Sequence, residues 1–111
     1  LIVEYVYIIR DFDLNVKPFS HYFTIISPNK INDLEKLTDK DRPYTRLVFS
    51  KKFYEARSWL SEQFKLLGLS ITIDEAGNLI GLLKSKKNTN KVVIVGSHID
   101  TVPSGGRYDG T

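Results

Sequence analysis

Residues 92–111 read VVIVGSHIDTVPSGGRYDGT, an apolar run that passes directly into a polar loop rich in glycine. The strand predicted over residues 91–95 is continuously apolar after its first position, which is typical of a strand covered on both faces. Open α/β sheets bind ligands beyond the carboxyl ends of their strands. The loop after this strand carries His98, Asp100 and Asp109, so the stretch predicts a sheet strand that leads into a candidate site.

A helix is predicted immediately upstream, over about residues 51–67. Ser50 is suited to cap its first turn, because a serine hydroxyl accepts from the free N–H groups there. Gly68 supplies the left-handed residue that commonly ends a helix. Apolar residues with three- and four-residue spacing form one stripe along it: Phe53, Ala56, Leu60, Phe64 and Leu67.

A β-hairpin is predicted between this helix and the apolar strand. Residues 69–73 alternate between apolar and polar side chains, as a half-buried strand does. Residues 74–78 form a turn in which Gly77 and Asn78 tolerate positive φ, and residues 79–83 make the return strand. Helix, hairpin and strand in this order predict a mixed α/β sheet.

The first part of the chain is harder to interpret. Residues 1–9 and 22–26 are rich in β-branched and aromatic side chains, so two short strands are one interpretation of residues 1–28. A non-native extension is the other interpretation, and we therefore treat residues 29–111 as a separate unit. A short amphipathic helix ending near Thr38 is predicted by apolar residues at helical spacing: Ile31, Leu34 and Leu37.

Composition limits the classes of protein that the chain can represent. Its 111 residues allow one domain, and 41% hydrophobic with 26% charged residues is a globular balance. Cysteine is absent, so any metal ion must be held by His, Asp or Glu, a ligand set suited to zinc, manganese or cobalt. We expect no disulfide and no thiolate site.

Membrane and nucleic-acid partners are not expected. No apolar run approaches the roughly 20 residues that span a bilayer. Residues 1–9 lack the features of a signal peptide, which favours the cytoplasm. The net charge of +3 reflects in part a lysine-rich stretch over residues 84–91, but no aromatic residues are interleaved there. The stretch therefore predicts a solvated loop and argues against a nucleic-acid surface.

The loop after the strand has the parts of a hydrolytic metal centre. Two residues apart in extended backbone, His98 and Asp100 project to the same side, so Asp100 is placed to orient the imidazole. Asp109 follows across a loop with Pro103 and paired glycines, which lets the chain fold back, and it is the candidate for a ligand that bridges two cations. The structural alternative stays open, because a His-x-Asp sequence or an Asp-Gly turn is common in ordinary loops.

Residues 96–110 closely resemble the first metal-binding motif of the hydantoinase/carbamoylase amidase family. That family includes N-carbamoyl-L-amino-acid hydrolase, allantoate amidohydrolase and β-ureidopropionase, within the aminoacylase and zinc-peptidase superfamily. The resemblance extends upstream through residues 45–50 (TRLVFS), 56–60 (ARSWL) and 74–81 (DEAGNLIG). It therefore covers about residues 45–111.

The resemblance implies a fold, a site and a reaction. The fold would be the N-terminal part of a mixed α/β catalytic domain of the zinc-peptidase (aminoacylase-like) type. The site would hold two divalent ions, Zn²⁺ or Mn²⁺/Co²⁺, with His98 as a ligand of one metal, Asp109 as the bridging ligand and Asp100 as the carboxylate beside the histidine. The reaction would be hydrolysis of a linear amide or ureido C–N bond in a small molecule. The family implies a homodimer formed through a second, smaller domain.

Several parts of the family pattern have no counterpart in this chain. The paired glutamates, the remaining histidine ligands and the dimerisation domain of the family lie downstream of the motif. We therefore expect residues 29–111 to be a truncated N-terminal segment of the catalytic domain, inactive alone. Two alternatives remain: a non-catalytic remnant or small interaction module that keeps the scaffold, and a peptidase or aminoacylase of the same superfamily.

Overall fold

A four-stranded sheet with two helices is formed by the residues that the computed structural model describes, 5–10, 28–84 and 92–109. In chain order the elements are β1 (Tyr5–Arg10), α1 (Pro28–Glu35), α2 (Lys51–Leu66), β2 (Ser70–Ile73), β3 (Leu79–Lys84) and β4 (Val92–Ser97). Within this described part, neither helix is long and apolar enough to cross a membrane.

The sheet is mixed and has the strand order β2-β3-β1-β4. Strand β1 runs parallel to β3 and antiparallel to β4, and β2 is antiparallel to β3. The predicted mixed α/β class is therefore confirmed. The strand predicted over residues 1–9 is found as β1, between β3 and β4, whereas the strand predicted over residues 22–26 lies outside the described residues.

Helix α2 confirms the prediction from the apolar stripe. The Ser50 hydroxyl accepts a hydrogen bond from the Phe53 N–H at 3.2 Å and caps the first turn. At the other end Leu67 is the C-cap and Gly68 has φ +80°, the left-handed conformation expected of a terminating glycine. Four residues of the stripe are buried: Phe53, Ala56, Leu60 and Phe64.

Helix α1 is also present, but it ends at Glu35 and not near Thr38. Tighter three-residue turns follow it, because the N–H of Lys36 bonds the carbonyl of Asp33 and the N–H of Leu37 bonds that of Leu34. The Thr38 hydroxyl then donates to the Glu35 carbonyl at 2.9 Å. The helical spacing seen in the sequence thus continues through a turn that is no longer α-helical.

The predicted hairpin forms from β2 and β3, and an aspartate holds its turn together. The Asp74 carboxylate accepts three hydrogen bonds: from the Ala76 N–H at 3.0 Å, the Asn78 N–H at 2.8 Å and the Asn78 side-chain amide at 2.8 Å. The bond from the Asn78 side chain is the main cause that lowers the pKa of Asp74. Gly77 has φ +90°, as the turn requires.

The expectation that the strand before the loop is covered on both faces is wrong for the described residues. Strand β4 is the last strand of the described sheet, paired with β1. Val92, Ile94 and Val95 leave 48%, 66% and 39% of their surface exposed. Helix α2 packs against the hairpin strands β2 and β3. An apolar run indicates that a strand favours burial, but it does not indicate where the strand lies in the sheet.

At Gly81 the hairpin backbone lies close to a side chain of α2. A methyl group at this position would lie 2.7 Å from side-chain carbons of both Phe64 and Leu69, which are themselves buried. We therefore expect Gly81→Ala to lower the free energy of unfolding by about 1–3 kcal/mol, the usual cost of overpacking. Chemical denaturation measures the change. Thr72→Ala, an exposed change on β2, is the control, and equal losses in both variants would contradict the close approach.

The turn aspartate gives the hairpin a dependence on pH. Because folding lowers the pKa of Asp74, its stabilisation is present above the unfolded pKa and is lost as the pH falls through the folded pKa. We expect wild type to be more stable than Asp74→Asn at neutral pH, and the difference to shrink below about pH 4. Denaturation curves across this range test the expectation. Glu75→Gln changes an exposed neighbour and should leave the pH profile unaltered.

Candidate functional site

The candidate site is the loop over residues 98–109, which begins where β4 ends at Ser97. Its second residue, Ile99, is 1% exposed and belongs to the hydrophobic core formed with both helices and the hairpin. The side chains on either side of Ile99 stay accessible, since those of His98 and Asp100 are 44% and 34% exposed. Burying Ile99 thus turns the two candidate site residues to the surface.

His98 and Asp100 are in direct contact. The imidazole Nδ1 lies 2.9 Å from Asp100 Oδ1 and 3.1 Å from the Asp100 backbone carbonyl oxygen. Both oxygens are acceptors, so in the neutral ring Nδ1 carries the proton and donates it to them. The lone pair then resides on Nε2, the nitrogen available to a cation. The orienting contact anticipated from the sequence spacing is present, and its catalytic role remains a prediction.

Asp109 closes the far end of the loop. Its Oδ2 accepts a hydrogen bond from the Val102 N–H at 3.0 Å, across seven residues of chain. The Gly105 N–H donates to the Val102 carbonyl at 3.1 Å, which tightens the same turn. A side chain at Gly105 would collide with the Asp109 carboxylate. The carboxylate therefore has a fixed place beside a glycine.

The donor types fit a divalent cation, but the described residues do not assemble a full ligand set. His98 offers a nitrogen and Asp109 offers carboxylate oxygens, both ordinary ligands of zinc. Among the residues described, no group of three or more His, Cys, Asp or Glu side chains could hold a metal ion. His98 and Asp109 can supply only part of a two-metal site.

Residues 44–46, of which Thr45 and Arg46 are buried, hold the loop in place through hydrogen bonds. The Arg46 N–H donates to the Thr101 hydroxyl at 2.8 Å, and the Thr101 N–H donates to the Arg46 carbonyl at 2.9 Å. The Thr101 hydroxyl donates in turn to the Tyr44 carbonyl at 2.9 Å. The Ser104 N–H donates to the Thr45 hydroxyl, also at 2.9 Å. These bonds join two segments more than fifty residues apart in the chain.

The Arg46 side chain adds a further connection and is only 3% exposed. Its Nε donates to the Ile99 carbonyl at 2.6 Å. Its Nη1 donates to the Leu34 carbonyl at 2.9 Å and to that of Leu37 at 3.3 Å. Helix C-termini carry partial negative charge, so a cation at the end of α1 is favourable. The guanidinium thereby ties the end of α1 to the loop.

An ion pair makes a second connection between α1 and the loop. Arg107 Nε lies 2.8 Å from Glu35 Oε2. The hydrogen bond that Arg107 donates to the Glu35 carboxylate is the leading cause that raises the pKa of Arg107. Both side chains keep some solvent exposure, 43% for Arg107 and 25% for Glu35, so this pair contributes less than a buried connection would.

Sequence reasoning did not assign these connecting residues. Thr45 and Arg46 entered only as part of the TRLVFS resemblance, and Thr101 was not singled out. A buried arginine leaves no periodic signal, because its partners are backbone carbonyls whose positions depend on the tertiary fold. The one sequence signal was a charged residue, between Thr45 and Leu47, in a matched motif.

Comparison with known proteins gives hydrolases among the relatives of the chain. No family model matches the chain, and no solved structure matches it. Allantoate amidohydrolase of Bacillus subtilis is 37% identical over 63% of this chain and 17% of the relative. N-carbamoyl-L-amino-acid amidohydrolase of a Pseudomonas species is 42% identical over 64% of this chain, again 17% of the relative. Ureidoglycolate hydrolase of Arabidopsis thaliana is 34% identical over 74% of this chain and 17% of the relative.

The names of these relatives define one class, that of hydrolases, and two of the three are amidohydrolases. The chain spans about 17% of the length of the curated relatives it matches. Within that span, the resemblance to the hydantoinase/carbamoylase amidase family is confirmed, with allantoate amidohydrolase and N-carbamoyl-L-amino-acid amidohydrolase as its named examples.

The close fit of Gly105 to Asp109 can be tested without a ligand. In Gly105→Ala the new methyl group must displace the carboxylate, which breaks the bond from the Val102 N–H. We expect the Val102 amide to exchange its hydrogen faster by about 10-fold or more, since an unpaired loop amide is open to solvent. Ser104→Ala is the control in the same turn, because it keeps the backbone N–H that bonds Thr45. Unchanged Val102 exchange in Gly105→Ala would contradict the contact.

Proposed function

We propose that this chain carries the first metal ligands of a metal-dependent amidohydrolase that acts on linear amide or ureido C–N bonds. Substrates would be of the allantoate or N-carbamoyl amino acid type, as the names of the relatives indicate. The observation that carries the proposal is the His98–Asp100 contact. It leaves Nε2 available in a loop that resembles a family metal motif.

The chain's own residues would prepare the site as follows. Asp100 holds the proton on His98 Nδ1, which keeps Nε2 as the electron-pair donor. Asp109 would be the bridging ligand, as the resemblance to the family motif implies, and its Oδ2 accepts a hydrogen bond from the Val102 N–H. Two divalent ions, Zn²⁺ or Mn²⁺/Co²⁺, would be held here, and when bound they activate water and stabilise the developing oxyanion.

We also propose that the described sheet is part of a catalytic domain of the zinc-peptidase type. The support is the order of elements: a capped helix, a hairpin and a strand that runs into the ligand loop. Residues 29–111 would belong to the N-terminal segment of that domain, and β1, which precedes them in the chain, would be a strand of the same sheet. The homodimer implied by the family would use residues other than those of this loop.

His98 and Asp109 are two ligands, fewer than the three that a catalytic zinc site usually takes from the protein, so we propose that these two residues bind zinc weakly. Titration with Zn²⁺, followed through the histidine ring resonances by NMR, should perturb His98. Asp100→Asn should weaken binding by about 10–100-fold, the usual effect of removing an orienting carboxylate. His98→Ala should abolish it, and Asp109→Asn should weaken it.

His21→Ala, which removes the chain's other histidine, is the matched control and should bind Zn²⁺ as wild type does. Zinc binding that survives His98→Ala would refute the assignment of the ligand. Hydrolysis of allantoate and N-carbamoyl-L-amino acids with added Zn²⁺ or Mn²⁺ should be undetectable for this chain. Turnover that disappears in His98→Ala would support the chemistry and show that the chain completes its own site.

A further inference from the structure

We propose that Arg46 is a positioning residue for the ligand loop, and that it sets the geometry of the His98–Asp100 pair. The catalytic meaning of this role rests on the proposed function. The geometric role itself does not, because it concerns contacts within the chain that can be measured without metal or substrate.

Ile99 lies between the candidate site residues His98 and Asp100 in the chain, and its backbone carbonyl is the group that Arg46 contacts. Arg46 Nε donates to this carbonyl at 2.6 Å. The carbonyl belongs to the peptide plane that also carries the Asp100 N–H, so holding it fixes the direction in which Asp100 leaves the backbone. The 2.9 Å contact between Asp100 Oδ1 and His98 Nδ1 depends on that direction.

The guanidinium is itself held in place at its other end. Nη1 bonds the Leu34 carbonyl at 2.9 Å, and Leu34 is buried in the core at the end of α1. An arginine fork presents several donors in one rigid plane, so it can bond the two carbonyls at once. A lysine presents its donors from a single nitrogen and cannot reproduce the same span.

The backbone of Arg46 is fixed as firmly as its side chain. Its N–H and carbonyl both bond Thr101, which is 5% exposed and lies one residue beyond Asp100. Arg46 therefore contacts the loop on both sides of Asp100, at Ile99 and at Thr101. A residue that served packing alone would not need to bond the backbone directly before and after the orienting carboxylate.

The test compares Arg46→Lys and Arg46→Met with wild type in the full chain. The direct readout is the His98 tautomer, obtained from long-range ¹H–¹⁵N correlation at alkaline pH, where imidazole is neutral. Wild type should hold the Nδ1–H form. Arg46→Met should shift His98 toward the Nε2–H form that unconstrained histidine prefers, and Arg46→Lys should restore part of the wild-type population.

Arg57→Lys is the matched control. Arg57 also bonds a backbone carbonyl, that of Gly77 at 3.1 Å, but in the hairpin and not in the loop. It should lower stability without moving the His98 tautomer. A tautomer shift of equal size in Arg57→Lys and Arg46→Met would overturn the positioning role, as would folded Arg46 variants with the wild-type tautomer.

Zinc affinity separates this inference from the proposed function. If both hold, Arg46→Met should weaken Zn²⁺ binding by about 10-fold or more, as loss of an indirect orienting contact does. If wild type binds no Zn²⁺ but Arg46→Met still shifts the tautomer, the proposed function fails and the positioning role stands. If Zn²⁺ binds wild type and Arg46→Met equally with one tautomer, the positioning role fails and the function stands.

A measurement on wild type covers the case in which both Arg46 variants fail to fold. The Arg46 Nε–H should exchange with solvent at least about 10-fold more slowly than the Arg57 side-chain N–H groups, because it is buried against the Ile99 carbonyl. Exchange as fast as that of Arg57 would show that the bond to Ile99 does not persist, and would overturn the proposal.

Discussion

The buried Arg46 guanidinium is the interaction on which the arrangement of the loop depends. A charged group that is 3% exposed is costly to desolvate, and it is tolerated because strong acceptors surround it. Two of those acceptors are backbone carbonyls in different segments of the chain. One belongs to Leu34, at the end of α1, and the other to Ile99, in the loop. Neither segment can shift without breaking one of these bonds. The helix end and the candidate site are therefore parts of one polar unit.

Buried and partly exposed side chains alternate along residues 98–100 of the loop. Ile99 is buried in the core, whereas the side chains of the candidate site residues His98 and Asp100 remain partly exposed. The same backbone stretch thus receives its position from the hydrophobic effect and from the Arg46 bond together. At the far end of the loop, the Asp109 carboxylate is held by a backbone N–H. Both candidate ligands are consequently placed by groups that would not themselves touch a metal ion.

Capping residues, turn residues and the apolar stripe were sufficient to predict helix α2 and the hairpin from the sequence. The Ser50 cap, the apolar stripe and Gly68 predicted α2 to within one residue at its C-terminal end, because each acts over a single helical turn. The turn residues of the hairpin were similarly informative. The exposure of β4 was not predictable, since an apolar run does not encode strand order. The hydrogen bonds of Arg46 were not predictable either, because they connect segments that are distant in the chain and meet only in the fold. The His98–Asp100 contact could be predicted from the sequence, because residues two apart in extended backbone project to the same side.

The exposure of β4 has a practical consequence for handling the protein. In the sheet that the described residues form, β4 is the last strand, and its Val92, Ile94 and Val95 are exposed. Backbone donors and acceptors at a sheet edge beside an apolar surface promote aggregation. Ile94 is the most exposed of the three at 66%, and threonine retains β-branching while adding a hydroxyl. Substitution there offers a route to samples that stay dispersed at the concentrations spectroscopy needs, while leaving the residues of the ligand loop unchanged.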